Sequence, residues 1–152
     1  MDMLAAILIG AVCGLIGAFA MNLFMRLVSR KFDRRADMVR ALGSFFTKKL
    51  DNALGVGTAI HGAAGVIFGM IYLAIIQAIG ALDFPHAFFL ALGFGFFHGL
   101  ITSYGLMYYA SARHPLEEYR KATMQEGVLH LLGHMIFGGV TGLLGGLIAM
   151  GL

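Results

Sequence analysis

Four apolar stretches, each long enough to cross a membrane, dominate this 152-residue chain. A helix needs about 20 residues to span the hydrocarbon core of a bilayer. The stretches cover residues 3–28, 53–79, 87–110 and 127–150. Because backbone groups in lipid must be hydrogen-bonded within their own segment, each stretch is predicted to be an α-helix. Stretches this long, with weak alternation, exclude a transmembrane β-barrel.

Composition supports the same fold class. Hydrophobic residues make up 59% of the chain and charged residues 12%, and this charged share is about half of that in globular proteins. We therefore predict an all-α, four-transmembrane-helix bundle that forms a single domain over residues 1–152, with inner loops at 29–52 and 111–126.

The basic residues predict the orientation of the bundle, because every one of them lies either at the end of the first stretch and in the segment after it, or after the third stretch. They are Arg26, Arg30, Lys31, Arg34, Arg35, Arg40, Lys48 and Lys49, and then Arg113, Arg120 and Lys121. Cytoplasmic loops retain basic residues, so both termini are predicted to lie on the opposite, periplasmic side of a bacterial cytoplasmic (inner) membrane. No basic residue precedes the first stretch, which favours a retained span over a signal peptide. The net charge of +3 indicates contact with anionic lipid headgroups rather than with nucleic acid.

The segment between the first two stretches has the pattern of a short amphipathic helix. Met38, Leu42, Phe45 and Phe46 recur at helical spacing within residues 37–49, and basic residues flank them. Such a helix can lie flat at the inner interface of the membrane. The alternative is a loop helix that packs on the bundle.

Glycines and histidines recur at every fourth position in two of the stretches. The second contains Gly57-x3-His61-x3-Gly65-x3-Gly69, and the fourth contains His130-x3-His134-x3-Gly138-x3-Gly142-x3-Gly146. Small residues allow membrane helices to approach closely, so Gly65, Gly69, Gly138 and Gly142 are predicted packing positions. The shared spacing, together with Gly-Leu-Ile at Gly14 and again at Gly99, suggests two related hairpins arranged about an axis along the membrane normal.

Polar side chains within the stretches are candidates for function, because hydrocarbon disfavours them and they face the bundle interior. At 1.5 Å per residue, one residue of each helix falls about seven positions, or roughly 10 Å, from its inner boundary. These residues form a predicted polar layer of Asn22, His61, Tyr104 and His134. His98 lies deeper, with Thr102 one turn below it. Glu126, His130 and His134 are spaced four apart and form a ladder on one helix face.

Two other histidines are predicted to lie in loops. His86 precedes the third stretch and His114 follows it. We expect both side chains to be solvated, and we do not include them in the site.

Three functional interpretations fit the polar residues. His61 and His134 could be axial ligands of a haem b, or could border another pigment or a quinone. Glu126, His130 and His134, with or without His61, could bind a transition metal such as zinc, iron or copper. The ladder could also conduct or sense protons, because imidazole titrates near neutral pH.

A purely structural interpretation stands beside these. Histidines and asparagines can tie membrane helices together through hydrogen bonds worth about 0.6 kcal/mol on average, and a carboxylate such as that of Glu126 is favoured at a helix start. The sequence leaves all four interpretations open. No soluble-enzyme signature competes with them, since the His130-Leu-Leu-Gly-His134 segment is not the zinc-protease motif.

Several short motifs give the chain a family resemblance. They are Asp37-Met-Val-Arg-Ala-Leu-Gly43, Ile60-His-Gly62, His98, Glu126 and Gly133-His134. With these residues the chain resembles small four-helix bacterial inner-membrane proteins of the YagU-like family. The resemblance implies four spans and an internal polar cluster of His61, His98 and His134. It implies no reaction, because the function of that family is not understood.

The sequence thus predicts a small non-enzymatic integral membrane protein whose histidine layer holds a ligand or supports a partner. Its glycine-lined faces and a group of aromatic residues suggest a homo-oligomer or an accessory subunit of a larger membrane complex, although the aromatic residues could equally face lipid. These aromatic residues are Phe88, Phe89, Phe94, Phe96 and Phe97. The alternative is a small channel or transporter for protons or metal ions that uses His98 and the ladder.

Overall fold

The computed structural model describes residues 1–32, 37–121 and 123–151, apart from the side chains of residues 29, 31 and 32, and this part of the chain contains helices and no strands. In chain order the elements are α1 (Met3–Phe32), α2 (Met38–Thr47), α3 (Ala53–Ala78), α4 (His86–Leu100), a π-helix (Ile101–Leu106), α5 (Met107–Arg113), a 3-10 turn (Glu117–Tyr119) and α6 (Met124–Ala149). The π-helix joins α4 to α5, so these three elements form one continuous third span.

Among the described residues, four helical segments are long and apolar enough to cross a membrane, as the sequence predicts. They run over Met3–Val28, Ala53–Ala78, His86–Arg113 and Met124–Ala149. The predicted boundaries differ from these by no more than a few residues, because length and hydropathy are properties of the local sequence. The chain is therefore described as a multi-pass helical membrane protein.

The described basic residues gather at one end of the bundle, which we call the basic end. Consecutive spans alternate in direction, so the last turns of α1 and α5 and the first turns of α3 and α6 meet there, together with α2. Arg26, Arg40 and Arg113 lie on these elements. Of the other predicted inner residues, Arg34, Arg35 and the side chain of Lys31 lie outside the described residues.

A helix forms at the predicted amphipathic segment, and it packs on the bundle. Asp37 caps α2 through its carboxylate, which accepts a hydrogen bond from the Arg40 amide at 3.0 Å. Gly43 of α2 and Gly57 of α3 let the two helices touch, since a Cβ atom at either position would overlap the backbone of the other helix. This arrangement agrees with the alternative of a loop helix docked on its neighbours. A flat position among lipid headgroups stays a prediction.

The predicted glycines bring the spans into contact inside the bundle. A Cβ at Gly65 or Gly69 of α3 would overlap α1, and one at Gly138 or Gly142 of α6 would overlap α4. Backbone contact at these positions buries all four glycines. The faces on which we expected a second subunit to pack are therefore occupied within the chain, and they give no support to oligomerisation.

The contacts also correct the proposed match between the two Gly-Leu-Ile segments. Gly65 meets the Gly14 backbone, whereas Gly138, its counterpart in the repeat, meets the Ala91 backbone. Gly14 therefore corresponds to Ala91, two helical turns before Gly99. Helix contact depends on small residues at the crossing point, and a shared tripeptide elsewhere on the helix does not determine it.

The spans form an incomplete ring. Helix α1 packs on both α3 and α6, α4 packs on α6, and α3 and α4 have little contact although they are consecutive spans. They meet through a few aromatic side chains, with the Tyr72 and Phe94 rings 5.3 Å apart. Towards the basic end the two helices leave space between them, and the candidate site lies there.

Candidate functional site

A cavity of about 310 Å³ occupies the half of the bundle nearest the basic end. Its wall is formed mainly by apolar side chains from all four spans and from α2. The polar side chains among them are His61, His98, Thr102, His114, His130 and His134. We call this space the histidine cavity. Five of these six residues lie inside predicted spans and had been chosen from the sequence.

Aromatic residues close the cavity on the side away from the basic end. The Phe68 ring lies 3.9 Å from that of His98, and the Phe137 ring lies 5.6 Å from that of Tyr72. Tyr72 is only 4% exposed. Its hydroxyl lies 3.0 Å from Nδ1 of His98. A buried tyrosine hydroxyl normally finds a hydrogen-bond partner, and this imidazole is the partner in the described structure.

The protons on this pair are assigned from the network. The Tyr72 hydroxyl has no other acceptor among the described residues, so it donates to Nδ1 of His98. A neutral imidazole that accepts at one nitrogen carries its proton on the other. Nε2 of His98 is therefore an N–H donor. The sequence reasoning missed Tyr72, although the rule that singles out polar side chains within a span applies to it equally.

His134 is held at both ring nitrogens. Nδ1 lies 3.0 Å from the His130 carbonyl oxygen, to which it must donate, and Nε2 lies 3.1 Å from Oγ1 of Thr102. The His134 ring lies 4.7 Å from that of His98 and 4.6 Å from that of His130, in edge-to-face arrangements. Three imidazoles are therefore in direct contact along the wall shared by α4 and α6.

His61 and His130 lack the partners that His134 has. Nδ1 of each ring is buried and has no hydrogen-bond partner among the described residues. An unpaired buried polar atom costs about 1–3 kcal/mol, and native structures contain few of them. The hydrogen bonds made by the imidazoles of this cavity to described residues are those of His98, His114 and His134. The other two rings are available to a ligand.

Two members of the predicted polar layer do not reach the cavity. Asn22 is buried on α1 with its Oδ1 unpartnered, but it is not part of the cavity wall. Tyr104 lies near Gly127 of α6, where a Cβ would approach its ring to 3.1 Å. Tyr104 belongs to the π-helix, whose wider turn changes the direction of side chains that follow it. Counting residues from the helix boundary assumes regular α-helical geometry and therefore misplaces this ring.

Glu126 does not take part in the ladder. Its Oε2 accepts a hydrogen bond from the Thr123 amide at 2.6 Å, and the Thr123 hydroxyl accepts one from the Glu126 amide at 3.3 Å. This reciprocal pair is a capping box that begins α6. The carboxylate is thus turned towards the helix start, as in the structural interpretation.

The geometry does not support the predicted metal and haem sites. Among the described residues no three side chains of His, Cys, Asp or Glu converge on a position for a metal ion. The ladder fails because its carboxylate caps α6. A haem between His61 and His134 requires a free nitrogen on each ring, and both nitrogens of His134 already bind within the protein.

The prediction that His114 is solvated is wrong. This residue is 1% exposed. Its Nδ1 accepts from the Leu116 amide at 3.0 Å, and its Nε2 donates to the Ala41 carbonyl at 3.0 Å. Because α2 packs on the bundle, the residue that ends the third span is covered by α2. His86 is exposed as predicted, and its Nδ1 lies 2.9 Å from Oδ2 of Asp83.

The loop after His114 folds over the same ring. The Tyr119 ring lies 4.8 Å from that of His114, and Nε of Arg120 donates to the His114 carbonyl oxygen at 2.7 Å. Burial, assisted by the carboxylates of Glu118 and Asp37, raises the pKa of the Tyr119 phenol to about 12. Tyr119 is therefore uncharged at physiological pH and acts as an apolar cover.

Access to the cavity differs between its basic end and its side at the third span. At the basic end, Met38, Leu42 and Phe45 of α2 line it, while Phe46 of the same helix is 61% exposed. On the side between α3 and the third span, Leu106 lines the cavity and is itself 61% exposed. The cavity wall therefore includes a residue on the outer surface of the bundle, within a segment apolar enough to lie in a membrane.

Comparisons of the whole chain found no matching protein-family model and no significantly similar curated protein or solved structure. The resemblance to the YagU-like family stays a prediction. The function is therefore argued from the geometry of the histidine cavity.

Proposed function

We propose that this chain is a non-enzymatic integral membrane protein that binds a lipid-soluble small molecule in the histidine cavity. The observation that carries the proposal is an apolar cavity whose wall includes two imidazoles, His61 and His130, without partners in the described structure. Ligand sites are typically concave and mostly apolar, with a few polar groups that orient the ligand. The volume of about 310 Å³ falls at the lower end of the range for such sites, about 300–1,000 Å³.

The surroundings of the cavity support a ligand that arrives from the bilayer. Apolar residues of α2 cover the basic end, so a water-soluble molecule would have to displace that helix. The exposed Leu106 marks an opening on the side that acyl chains would contact. A molecule dissolved in the membrane can reach the imidazoles there without crossing a polar surface.

The setting that we propose follows from the charge pattern. The basic end would face the cytoplasm of a bacterium, with α2 beneath the inner leaflet and both termini in the periplasm, because basic residues are retained on the cytoplasmic side. The cavity would then lie in the inner half of the bilayer.

Proton or metal-ion transport is the second candidate, and the contact between the His98, His134 and His130 rings favours it. However, the series of contacting imidazoles ends at Tyr72, which is hydrogen-bonded to His98. In the remaining half of the bundle, the Thr141 hydroxyl is bonded to the Phe137 carbonyl at 2.7 Å and the Gln77 amide to the Met1 carbonyl at 2.5 Å. A ligand held in a cavity that ends at Tyr72 fits these contacts better than a continuous pathway does.

An accessory role in a larger membrane complex would use the outward face of α4. Phe89 and Phe97 are 64% and 65% exposed, and Phe96 is exposed as well, whereas Phe88 and Phe94 are half-buried. The three exposed rings are covered by a partner subunit if the chain has this accessory role, and by lipid if it does not. Co-purification in mild detergent with and without Phe97→Ala distinguishes the two.

Ligand binding can be tested with a substitution that fills the cavity and leaves every histidine in place. Ala64 lines the cavity, whereas its neighbour Ala63 is exposed on the other side of α3. Protein is purified in mild detergent, and bound lipophilic molecules are extracted and quantified by mass spectrometry. We expect about one specific molecule per chain in the wild type and in Ala63→Phe, and its loss in Ala64→Phe.

Two results would overturn the proposal. One is wild-type protein that carries only bulk membrane lipid in the proportions of the membrane. The other is equal retention of the molecule by Ala64→Phe and Ala63→Phe, since a ligand that tolerates a filled cavity is bound elsewhere.

A further inference from the structure

The positions of the protons on the cavity histidines indicate the chemical class of the ligand. This inference rests on the proposed function, that the cavity binds a lipid-soluble molecule. His98 presents an N–H at Nε2, because its Nδ1 accepts from the Tyr72 hydroxyl. The nitrogen that carries the proton can also be assigned for His61 and His130. Each neutral ring has one N–H and one lone pair to place.

The burial of Nδ1 in both rings indicates where the proton lies. Nδ1 of His61 and Nδ1 of His130 have no acceptor among the described residues. Buried N–H groups without an acceptor are rarer in proteins than acceptors without a donor. The lone pair is therefore placed at Nδ1 and the proton at Nε2 on both rings. With His98, the cavity has three imidazole N–H groups that no described protein atom accepts.

Hydrogen-bond acceptors of the protein itself are already used nearby. The His130 carbonyl accepts from His134, and the Ala41 carbonyl accepts from His114. The unpaired lone pairs of His61 and His130 lie at Nδ1, and both of these atoms are buried. A ligand in the cavity therefore meets unpaired N–H donors rather than acceptors. A complementary ligand carries acceptors rather than hydroxyl or amine donors.

The charge of the cavity wall further restricts the class of ligand. No lysine or arginine is part of the cavity wall among the described residues. A carboxylate or phosphate within a membrane span requires a cation as partner, so an uncharged acceptor fits the site better. Phe45, Phe68 and Phe137 add aromatic rings to the wall, against which a flat ring can pack.

We infer that the ligand is a neutral, ring-bearing carbonyl compound of the quinone type. Its carbonyl oxygens accept from the imidazoles of His98, His61 and His130, and its apolar tail leaves the cavity past Leu106 into the bilayer. The same donors would not favour the corresponding hydroquinone, whose hydroxyl groups need acceptors. The inference concerns binding and includes no electron transfer.

The test measures affinity for four probes that share a ten-carbon chain. These are a decyl benzoquinone, its hydroquinone kept reduced under anaerobic conditions, decylbenzene, and decanoate. Binding to the full-length protein in lipid nanodiscs is followed by calorimetry. We expect the quinone to bind about tenfold or more tightly than each of the others, since a hydrogen-bond difference of about 1.4 kcal/mol changes affinity tenfold.

A variant assigns the effect to the cavity. His98→Phe keeps a flat ring but removes one of the three N–H groups, and we expect the preference for quinone over decylbenzene to decrease. An unchanged preference would show that His98 does not bind the carbonyl group. His86→Phe, at an exposed position at the start of α4, should keep the wild-type preference. The comparison of probes on wild-type protein stands even if His98→Phe does not fold.

Each other outcome contradicts a specific step. Tighter binding of the hydroquinone overturns the proton assignment, and tighter binding of decanoate overturns the uncharged class. Equal binding of quinone and decylbenzene shows that the imidazoles do not read the carbonyl group. In those cases a molecule lost specifically in Ala64→Phe would still support the proposed function, whereas failure of both experiments removes it.

Discussion

Nε2 of His114 donates a hydrogen bond to the Ala41 carbonyl oxygen, 3.0 Å away, and so ties the end of the third span to α2. The ring is fixed from its other side by the Leu116 amide. It also packs against Phe45, with the ring centres 5.6 Å apart. Helix α2 is thus held over the histidine cavity by a contact between residues that are distant in sequence.

Replacement of His114 by alanine should loosen α2. The substitution removes two hydrogen bonds and a buried ring, and leaving their partners unpaired costs about 1–3 kcal/mol. We expect faster amide hydrogen exchange over residues 38–47 and a lower midpoint of thermal unfolding. His86→Ala, at an exposed site, serves as the control. Unchanged exchange over α2 in His114→Ala would show that other contacts hold the helix.

The contact between α4 and α6 should be intolerant of a single methyl group. A Cβ at Gly138 would overlap the Ala91 carbonyl oxygen, whereas a Cβ at Gly93 would meet nothing within 4 Å. We expect Gly138→Ala to lower stability by about 1–3 kcal/mol, as overpacking does, and Gly93→Ala to leave it nearly unchanged. Thermal unfolding in the same detergent compares the two. Equal stability would mean that the helices separate at little cost.

The hydrogen bond between Tyr72 and His98 can be measured by a double-mutant cycle. Coupling energies for such bonds within membrane proteins average about 0.6 kcal/mol and reach about 1.7 kcal/mol. We expect Tyr72→Phe and His98→Phe to be coupled within that range. Tyr104→Phe, whose ring lies outside the cavity, should show no coupling to His98→Phe. Independent effects of the first pair would contradict the hydrogen bond between Tyr72 and His98.

Metal should neither accompany the protein nor stabilise it. The Glu126 carboxylate caps α6, and both nitrogens of His134 are bonded. We expect less than stoichiometric zinc, iron and copper by elemental analysis, and no change in the unfolding midpoint with added zinc or with chelator. A stoichiometric metal that is lost in His134→Ala would contradict this reading of the site.

The orientation of the bundle can be tested by labelling single cysteines. The Cys13→Ala substitution first removes the single cysteine of the chain. In this background, Asp83→Cys lies in the turn between α3 and α4, and Asn52→Cys lies at the basic end; both positions are exposed. A membrane-impermeant maleimide applied to spheroplasts should label the first and not the second, because basic residues stay in the cytoplasm. Labelling of only the second would invert the proposed topology.

Some features of the site were readable from single residues and others were not. The depth of His61 and His134 could be counted along regular helices, and both do border one cavity. The same counting misplaced Tyr104, because a π-helix interrupts the third span. The i, i+4 spacing placed Glu126 on the ladder, yet its carboxylate turns back to the Thr123 amide. Spacing gives a position on a helix face, whereas the nearest donor decides where a flexible side chain points.

The sequence by itself determined the four spans, the capped start of α6 and the gathering of basic residues at one end, since hydropathy, capping and charge act over a few neighbouring residues. Only the tertiary structure decided that α2 covers His114 and that the glycines pack between α1 and α3 and between α4 and α6. It also decided that α3 and α4 have little contact and leave a cavity between them. These outcomes depend on which helix faces meet. Contacts between residues far apart in the chain, such as that of His114 with Ala41, settle that choice.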